Sequence, residues 1–482
     1  MLNSSKYVTV AAVGMAVAVS AWPAMAQFVE PDVRVLSVLE GTQVGDNFGW
    51  VGAALPDIDG DGVADFVIPA IGYEGVGRAT VYSGRTQAVL NDVVGTGPAP
   101  FFGYSVSDAG DVDKDGVSDY IVGGGQVKVF SGRDHRLLYD FSTAGFGAAV
   151  SAAGDIDGDG HADVAVGVAF VDAGRVTVFS GRDGQVLWFR DGAVAGDRFG
   201  SALGLVGDVN KDGVPDLSVG AFGAGPFGGG LAFVVSGVDG STIHQLEPVD
   251  AAEALVFGQF FASGASDVDG DGVPDVFVGD YAEGQGVRAG TGRAYIFSGF
   301  TGELLHVFTG FRPGDGLGPG RGIPDVNGDG HGDVIVAAYL NSDASTTAGA
   351  AYIFSGRSGA LLRTMTATLA GDNFGVDALS LGDINDDRIP DFLVTAVGRS
   401  FAGTDTGRAY LIAGRRLPCV ADVTGNRVVN RADFRRIRRA FGQSKQRFDL
   451  NGDGTVDVQD LIVARLDRGK CPPGVPKKRR RY

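Results

Sequence analysis

The feature that most constrains this chain is a nine-residue acidic pattern, D-x-[DN]-x-D-G-x-x-D, that recurs seven times. It begins at Asp57, Asp111, Asp155, Asp208, Asp267, Asp325 and Asp383, at spacings of 54, 44, 53, 59, 58 and 58 residues. A unit repeated at this period cannot bury its apolar face alone and must stack on its neighbours. Phe-Gly precedes most loops by nine residues, at Phe48, Phe102, Phe146, Phe199 and Phe374. The fifth unit is shifted by one (Phe257-Gly258), and the sixth is eroded to Leu317-Gly318. Each loop is followed by a short apolar run such as Phe66-Val67-Ile68 or Val164-Ala165-Val166. Most units then show G-R-x-x-V/I-F/Y-S-G, as at 174–181 and 292–299, and a further apolar stretch such as Leu304–Phe308.

Each unit reads as four strands: one ending at the loop, one after it, the x-V-F-S-G strand, and a last one. Short apolar runs bounded by Gly and Asp are strand signals, and no stretch of the body sustains a 3.6-residue period. Gly is 79 of 482 residues and charged residues are 20%, as expected for many short strands joined by tight turns. Four-stranded units in this number predict an all-β, seven-bladed β-propeller. The seventh unit stops after its third strand, Ala409–Ile412, whereas the chain opens with an orphan strand, Val33–Leu39. Placed in the last blade, that N-terminal strand completes it and closes the ring, which hides the sheet edges.

Carboxylates at positions 1, 3, 5 and 9 of each loop converge on one point, the Gly at 6 permits a sharp turn, and the carbonyl at 7 adds an oxygen. Such an all-oxygen cage suits Ca²⁺. Loop one offers Asp57, Asp59, Asp61, the Val63 carbonyl and Asp65. Loop two offers Asp111, Asp113, Asp115, Val117 and Asp119, and loop three Asp155, Asp157, Asp159, His161 and Asp163. Loop four has Asp208, Asn210, Asp212, Val214 and Asp216, and loop five Asp267, Asp269, Asp271, Val273 and Asp275. Loop six has Asp325, Asn327, Asp329, His331 and Asp333, and loop seven Asp383, Asn385, Asp387, Ile389 and Asp391. Asn keeps an oxygen at lower charge, and Arg388 replaces the Gly of loop seven, so that loop is expected to be the weakest. Asp-rich turns also form without metal, because Asp caps its own turn. Four carboxylates within nine residues, however, repel one another without a cation. His161 and His331 stand at position 7, where the backbone serves. His135, His244 and His306 lie in or beside fourth strands with no nucleophile motif nearby. No catalytic residue is assigned.

The Phe-Gly, acidic-loop and Gly-rich strand pattern over residues 33–417 resembles the FG-GAP repeats of integrin α-subunit propellers and of many secreted bacterial proteins. The resemblance implies a non-enzymatic binding platform with calcium loops on one face and ligands on loops of the other. The long inserts Gly223–Gly230, Tyr281–Gly292 and Asn341–Gly349 are then candidate ligand loops.

Charge flips at Leu417-Pro418-Cys419. Residues 27–418 hold 23 basic and 51 acidic residues, net −28, whereas 419–482 hold 16 Lys/Arg and 7 Asp, net +9. The acidic body argues against binding nucleic acid through its phosphates. In the tail piece Asp449, Asn451, Asp453, Gly454, Thr455, Asp457 and Asp460 follow an EF-hand-type loop at positions 1, 3, 5, 6, 7, 9 and 12. A degenerate partner starts at Asp422, with Thr424, Asn426, Asn430 and Asp433 but Arg427 for the Gly. Helices are expected over Asp433–Phe441 and Asp460–Asp467. The pair resembles a dockerin type I domain, which implies a cohesin-like partner; a small cap on the propeller is the alternative. Cys419 and Cys471 bracket it and are expected to form a disulfide in an exported protein, with two free thiols as the alternative.

Export is read from Lys6, the apolar stretch Val8–Val19 and Ala24-Met25-Ala26, a signal-peptide pattern too short to span a bilayer. The expected organisation is a signal peptide (1–26), a seven-bladed propeller (27–417), an EF-hand pair (418–471) and a basic tail (472–482). The expected function is an exported, calcium-binding adhesion or scaffold protein, secreted or at the cell surface, with no transmembrane segment. Its partners would be a protein or polysaccharide on the propeller and a cohesin-like protein on the tail module. The alternative is an extracellular polysaccharide lyase or hydrolase on a propeller scaffold.

Overall fold

The structure, a computed structural model, describes residues 27–142, 146–147, 149–398, 406–417 and 419–471. The signal-peptide segment and the basic tail lie outside the described residues.

The seven units form seven four-stranded antiparallel sheets. In each, the strand that leads into the acidic loop is innermost. First strands of neighbouring sheets lie against one another all the way round, from Ala53–Leu55 of blade one to Phe374–Gly382 of blade seven and back. The second strands, such as Asp65–Ala70 and Asp163–Val168, are buried along their whole length, as their unbroken apolar runs require. Fourth strands such as Val186–Asp191 alternate between exposed and half-buried residues and form the rim.

Blade seven takes its outer strand from the N-terminus. Residues Val35–Glu40 pair antiparallel with Arg408–Ile412, with Val38 opposite Tyr410 and Glu40 opposite Arg408. Phe28 packs edge-on against Phe374 and Tyr410, at ring-centroid distances of 5.1 and 6.0 Å. The expected closure is therefore the one observed.

The Phe-Gly motif is an inter-blade wedge. Phe48, Phe102, Phe199, Phe257 and Phe374, with Leu317 in the eroded unit, are at most 2% exposed. Each donates its N–H to the carbonyl two residues before the third strand of the preceding blade: Phe48 to Thr406, Phe102 to Val76, Phe199 to Ala173, Phe374 to Ala348. Phe146 departs from this pattern. It is half-buried against Tyr104 and Phe170, and the tie to the preceding blade runs instead from the Gly147 N–H to Gly124. Blade two has only a short link between its second and third strands, so the wedge has no deep slot to fill.

A second tie joins rim to rim. The Tyr139 hydroxyl donates to Gly181 O (2.9 Å), Trp188 Nε1 to Gly237 O (2.7 Å) and Arg363 to Ala413 O (3.0 Å). His244 Nε2 bonds Gly299 O (3.1 Å), and His306 Nε2 bonds Gly356 O. The donor's chemistry varies, but its place on the fourth strand and its acceptor turn do not.

The glycine of the S-G turn is dictated by crowding. A Cβ on Gly181 would stand 2.0 Å from the Ala162 carbonyl oxygen, and Gly84, Gly237 and Gly356 meet their counterparts at 1.8, 1.9 and 1.8 Å. Gly181→Ala is expected to destabilise the propeller by about 3–5 kcal/mol, because the clash is with backbone that cannot yield. Urea midpoints check this, and a change below about 1 kcal/mol would contradict the close approach.

The tail module is a pair of loop–helix units with helices α1 (Arg431–Arg439) and α2 (Val458–Leu466). Both begin two residues earlier than expected. Asn430 and Asp457 act as N-caps, and the position-12 aspartates, Asp433 and Asp460, return the capping-box bond to the cap N–H. Helix and loop thus overlap rather than follow one another. Cys419 and Cys471 form the expected disulfide, and Val428–Val429 pairs with Gly469–Lys470 beside it. Val423, Ile437, Leu450, Val456 and Val463 are buried in one apolar cluster with Ile353 and Leu362 of blade six and Leu417 of the connecting segment. Among the described residues no helix is long and apolar enough to cross a membrane.

Candidate metal centres

All seven acidic loops join a first strand to a second strand and so lie on one face of the disc, the face that also carries the S-G turns. In loop one, Asp57 Oδ1 accepts the N–H of Gly60 and of Asp61 (2.8 and 3.0 Å), and Oδ2 accepts that of Gly62 (2.8 Å). Asp61 Oδ1 accepts the N–H of Val63 at 2.9 Å. Gly62, at position 6, holds φ +88°, and its equivalents Gly116, Gly160, Gly213, Gly272 and Gly330 lie between +85° and +92°. Arg388 takes the same left-handed turn at φ +65°, so loop seven keeps the loop path despite its substitution.

Four of the loops bring three carboxylates together, with ligand oxygens within 4.8 Å of one another: Asp57, Asp59 and Asp61; Asp111, Asp113 and Asp115; Asp155, Asp157 and Asp163; Asp267, Asp269 and Asp271. The position-9 aspartates are the anchors of the loops. Asp65, Asp119, Asp163, Asp216, Asp275, Asp333 and Asp391 are all fully buried. In Asp163, Oδ2 accepts the N–H of Ile156 (2.7 Å), and Oδ1 accepts that of Gly181 in the S-G turn (2.9 Å). The same two bonds recur in every blade, for example Asp65 with Ile58 and Gly84, and Asp391 with Ile384 and Gly414. This anchoring role was not evident in the sequence, although the pairing of a position-9 Asp with a later S-G, A-G in blade seven, carried the signal.

Burial pushes the Asp65, Asp119, Asp163 and Asp391 carboxyls up to about 6 and that of Asp275 to about 7, against the pull of their backbone hydrogen bonds. The neighbouring carboxylates, Asp59 beside Asp65 and Asp157 beside Asp163, push the same way. An array of hard oxygen donors whose mutual repulsion opposes ionisation fits a hard divalent cation such as Ca²⁺.

The loops with Asn relieve the repulsion internally. The Asn210 amide donates to Asp212 Oδ2 (2.8 Å), Asn327 to Asp329 Oδ2 (3.1 Å), and Asn385 to Asp391 Oδ1 (2.9 Å). In loop two, Arg136 and Arg133 pair with Asp113 (2.6 Å) and Asp115 (2.8 Å), exposed contacts worth little on their own. His161 and His331 do more than supply a carbonyl. Their Nδ1 atoms bond the Val112 and Val268 carbonyls of the preceding loops (2.7 and 2.9 Å), tying adjacent loops together.

In the tail module, Asp449 accepts the N–H of Gly452 (2.8 Å) and of Gly454 (2.9 Å), and the buried Asp460 accepts those of Asp457 (2.7 Å) and Leu450. The degenerate loop follows the same path. Asp422 accepts the N–H of Gly425 and Arg427, with Arg427 at φ +66°.

The opposite face carries the inserts Gly223–Gly230, Tyr281–Gly292 and Asn341–Gly349, each joining a second strand to a third. Rings from several blades meet over the axis there: Trp50 lies 5.7 Å from Tyr104 and 6.1 Å from Phe260, and Phe260 stacks on Tyr281. In the Tyr281–Gly292 insert Glu283 is buried, bonded by the Tyr295 hydroxyl (2.5 Å) and paired with Arg293. Burial pushes its carboxyl up to about 7. A folded value above the unfolded one of about 4.3 means the proton is held more tightly in the fold. The stabilisation it gives is complete below about pH 4 and is lost as pH rises through about 7. Glu283→Gln is therefore expected to flatten the fall in stability between about pH 5 and pH 8, and an unchanged slope in urea midpoints would contradict it.

Fold and loops together define a closed propeller with an acidic-loop face, joined to a disulfide-bracketed loop–helix pair. Residues 146–179 match the FG-GAP repeat family, and residues 420–464 match the dockerin type I domain. Over 270 residues, 53% of this chain, the sequence is 29% identical to integrin alpha-PS2 of Drosophila melanogaster, covering 17% of that protein. It is 30% identical to integrin alpha pat-2 of Caenorhabditis briggsae over 259 residues, 50% of this chain and 18% of the relative. Against integrin alpha-V of Gallus gallus it is 30% identical over 248 residues, 49% of this chain and 20% of the relative. The matched region thus spans a fifth or less of these relatives.

Proposed function

We propose that this chain is an extracellular, calcium-binding, non-enzymatic binding or scaffold protein. Its propeller presents the ligand, a protein or a polysaccharide, to the face opposite the acidic loops, and its dockerin-like module engages a cohesin-type partner. The observation that carries this reading is the division of the disc. Seven acidic loops build one face, while the inserts and the half-buried aromatic rings over the axis occupy the other. Likeness to integrin α-subunits and to the dockerin type I domain supports an adhesive role outside the cell.

The alternative, a polysaccharide-active enzyme, calls for a cluster of Arg, Lys, Tyr or His on the axis. The axial cavity of about 370 Å³ is lined by Ala53, Ser107, Asp108, Arg321 and Ser380 among others. Its arginine is held by the buried Asp377 at 2.6 Å, so it serves the joint between blades six and seven. The full chain should retain specific polysaccharides or extracellular proteins on an array in Ca²⁺, lose them in EGTA, and leave their chain length unchanged. Shortened polysaccharide, with loss of that activity in an Arg321→Ala variant, would overturn the reading in favour of the enzyme.

A further inference from the structure

The better of the module's two loops is also one of its contacts with the propeller, beside the apolar cluster the two share. The outer strand of blade six (Leu361–Thr366) begins with Leu361, whose N–H donates to the Leu450 carbonyl at 2.8 Å. Leu450 is position 2 of the Asp449 loop and is 1% exposed. Its own N–H is held by Asp460, the position-12 carboxylate. Two residues on, Gly452 lies so close to Leu361 that a Cβ would stand 2.6 Å from the Leu361 Cδ2. Asp467, just past α2, lies beside Ser358 and Arg357 of the same blade. The carboxylates that shape the loop therefore also set the one carbonyl that caps the edge strand.

We propose that calcium in the Asp449 loop is a latch that docks the module on blade six. An ion drawing Asp449, Asn451, Asp453 and Asp460 together fixes the path of Leu450 and Gly452, and with it the bond to Leu361. An empty loop lets Leu450 move, and the module swings from its anchor at Leu417 while Cys419–Cys471 keeps its own ends joined. The module would then be held in a fixed orientation when calcium is abundant and become a loose tether when it is scarce. Docking and ion binding are two sides of one coupling, so each must strengthen the other by the same factor.

This rests on the calcium reading of that loop, and the test separates the two. Hydrogen exchange in the full chain follows the Leu361 amide, with bound calcium counted in parallel. In EGTA, or in Asp449→Ala with Ca²⁺ present, exchange at Leu361 is expected to quicken at least about tenfold. Asp57→Ala, in blade one, should leave it unchanged. Leu361→Ala, which leaves every loop carboxylate in place, should weaken calcium binding by the Asp449 loop several-fold. Loss of one ion in Asp449→Ala without any change at Leu361 would overturn the latch. An unchanged ion count in that variant would overturn the calcium reading of the loop itself, and the latch with it.

Discussion

Asp163→Ala is expected to destabilise the propeller by about 4 kcal/mol even in EGTA, and by more in Ca²⁺, because Asp163 is also one of the three carboxylates that converge in loop three. Its carboxylate takes the N–H of Ile156 and of Gly181, both buried, and each amide left without an acceptor costs about 1–3 kcal/mol. The loss then spreads. Gly181 presents the carbonyl that receives Tyr139 from blade two, so a slack Gly181 loosens the joint between blades as well. Asp157→Ala is the informative contrast. Asp157 is exposed and makes no comparable clamp, so its removal should matter in Ca²⁺ and be nearly silent in EGTA. Urea unfolding of both variants under both conditions checks this, and a loss for Asp163→Ala that vanishes in EGTA would contradict the anchoring role.

Removing residues 27–40 should have the larger consequence. Blade seven would lose the strand Val35–Glu40, baring the edge of Arg408–Ile412, and Phe28 would leave the pocket formed by Phe374 and Tyr410. An open edge of this kind templates pairing with other chains. The shortened protein is expected to lose cooperative melting and to associate on a sizing column. A monomer with the full-length melting temperature would show that the ring does not depend on its N-terminal clasp.

The blades were legible because their signals are local. The acidic loop, the apolar run after it and the S-G turn each sit within one unit, and seven copies fix the phase of the strands. The orphan strand Val33–Leu39 and the truncated last unit together disclosed the closure. The rim ties were not legible. Trp188 reaches a carbonyl 49 residues away and His244 one 55 away, and the donors share no side-chain chemistry, only a register. Phe146 fits the motif by spacing yet misses the slot, because what makes a slot is the length of the preceding blade's link. The helices start early because Asn430 and Asp457 cap them and the position-12 aspartates, Asp433 and Asp460, close the capping boxes, a use that a ligand-only reading of the loops overlooks. Docking of the module on blade six depends on Leu361 and Gly452, residues with no motif to announce them.

Calcium in the acidic loops can be counted by equilibrium dialysis of the full chain against Ca²⁺. At least four bound ions per chain are expected, from the loops at Asp57, Asp111, Asp155 and Asp267, whose carboxylates already converge. One ion fewer is expected in Asp157→Ala, with weaker occupancy of the Asn-bearing loops at Asp208, Asp325 and Asp383. A chain that binds no calcium at millimolar concentration, and melts identically in EGTA, would contradict calcium binding by the loops.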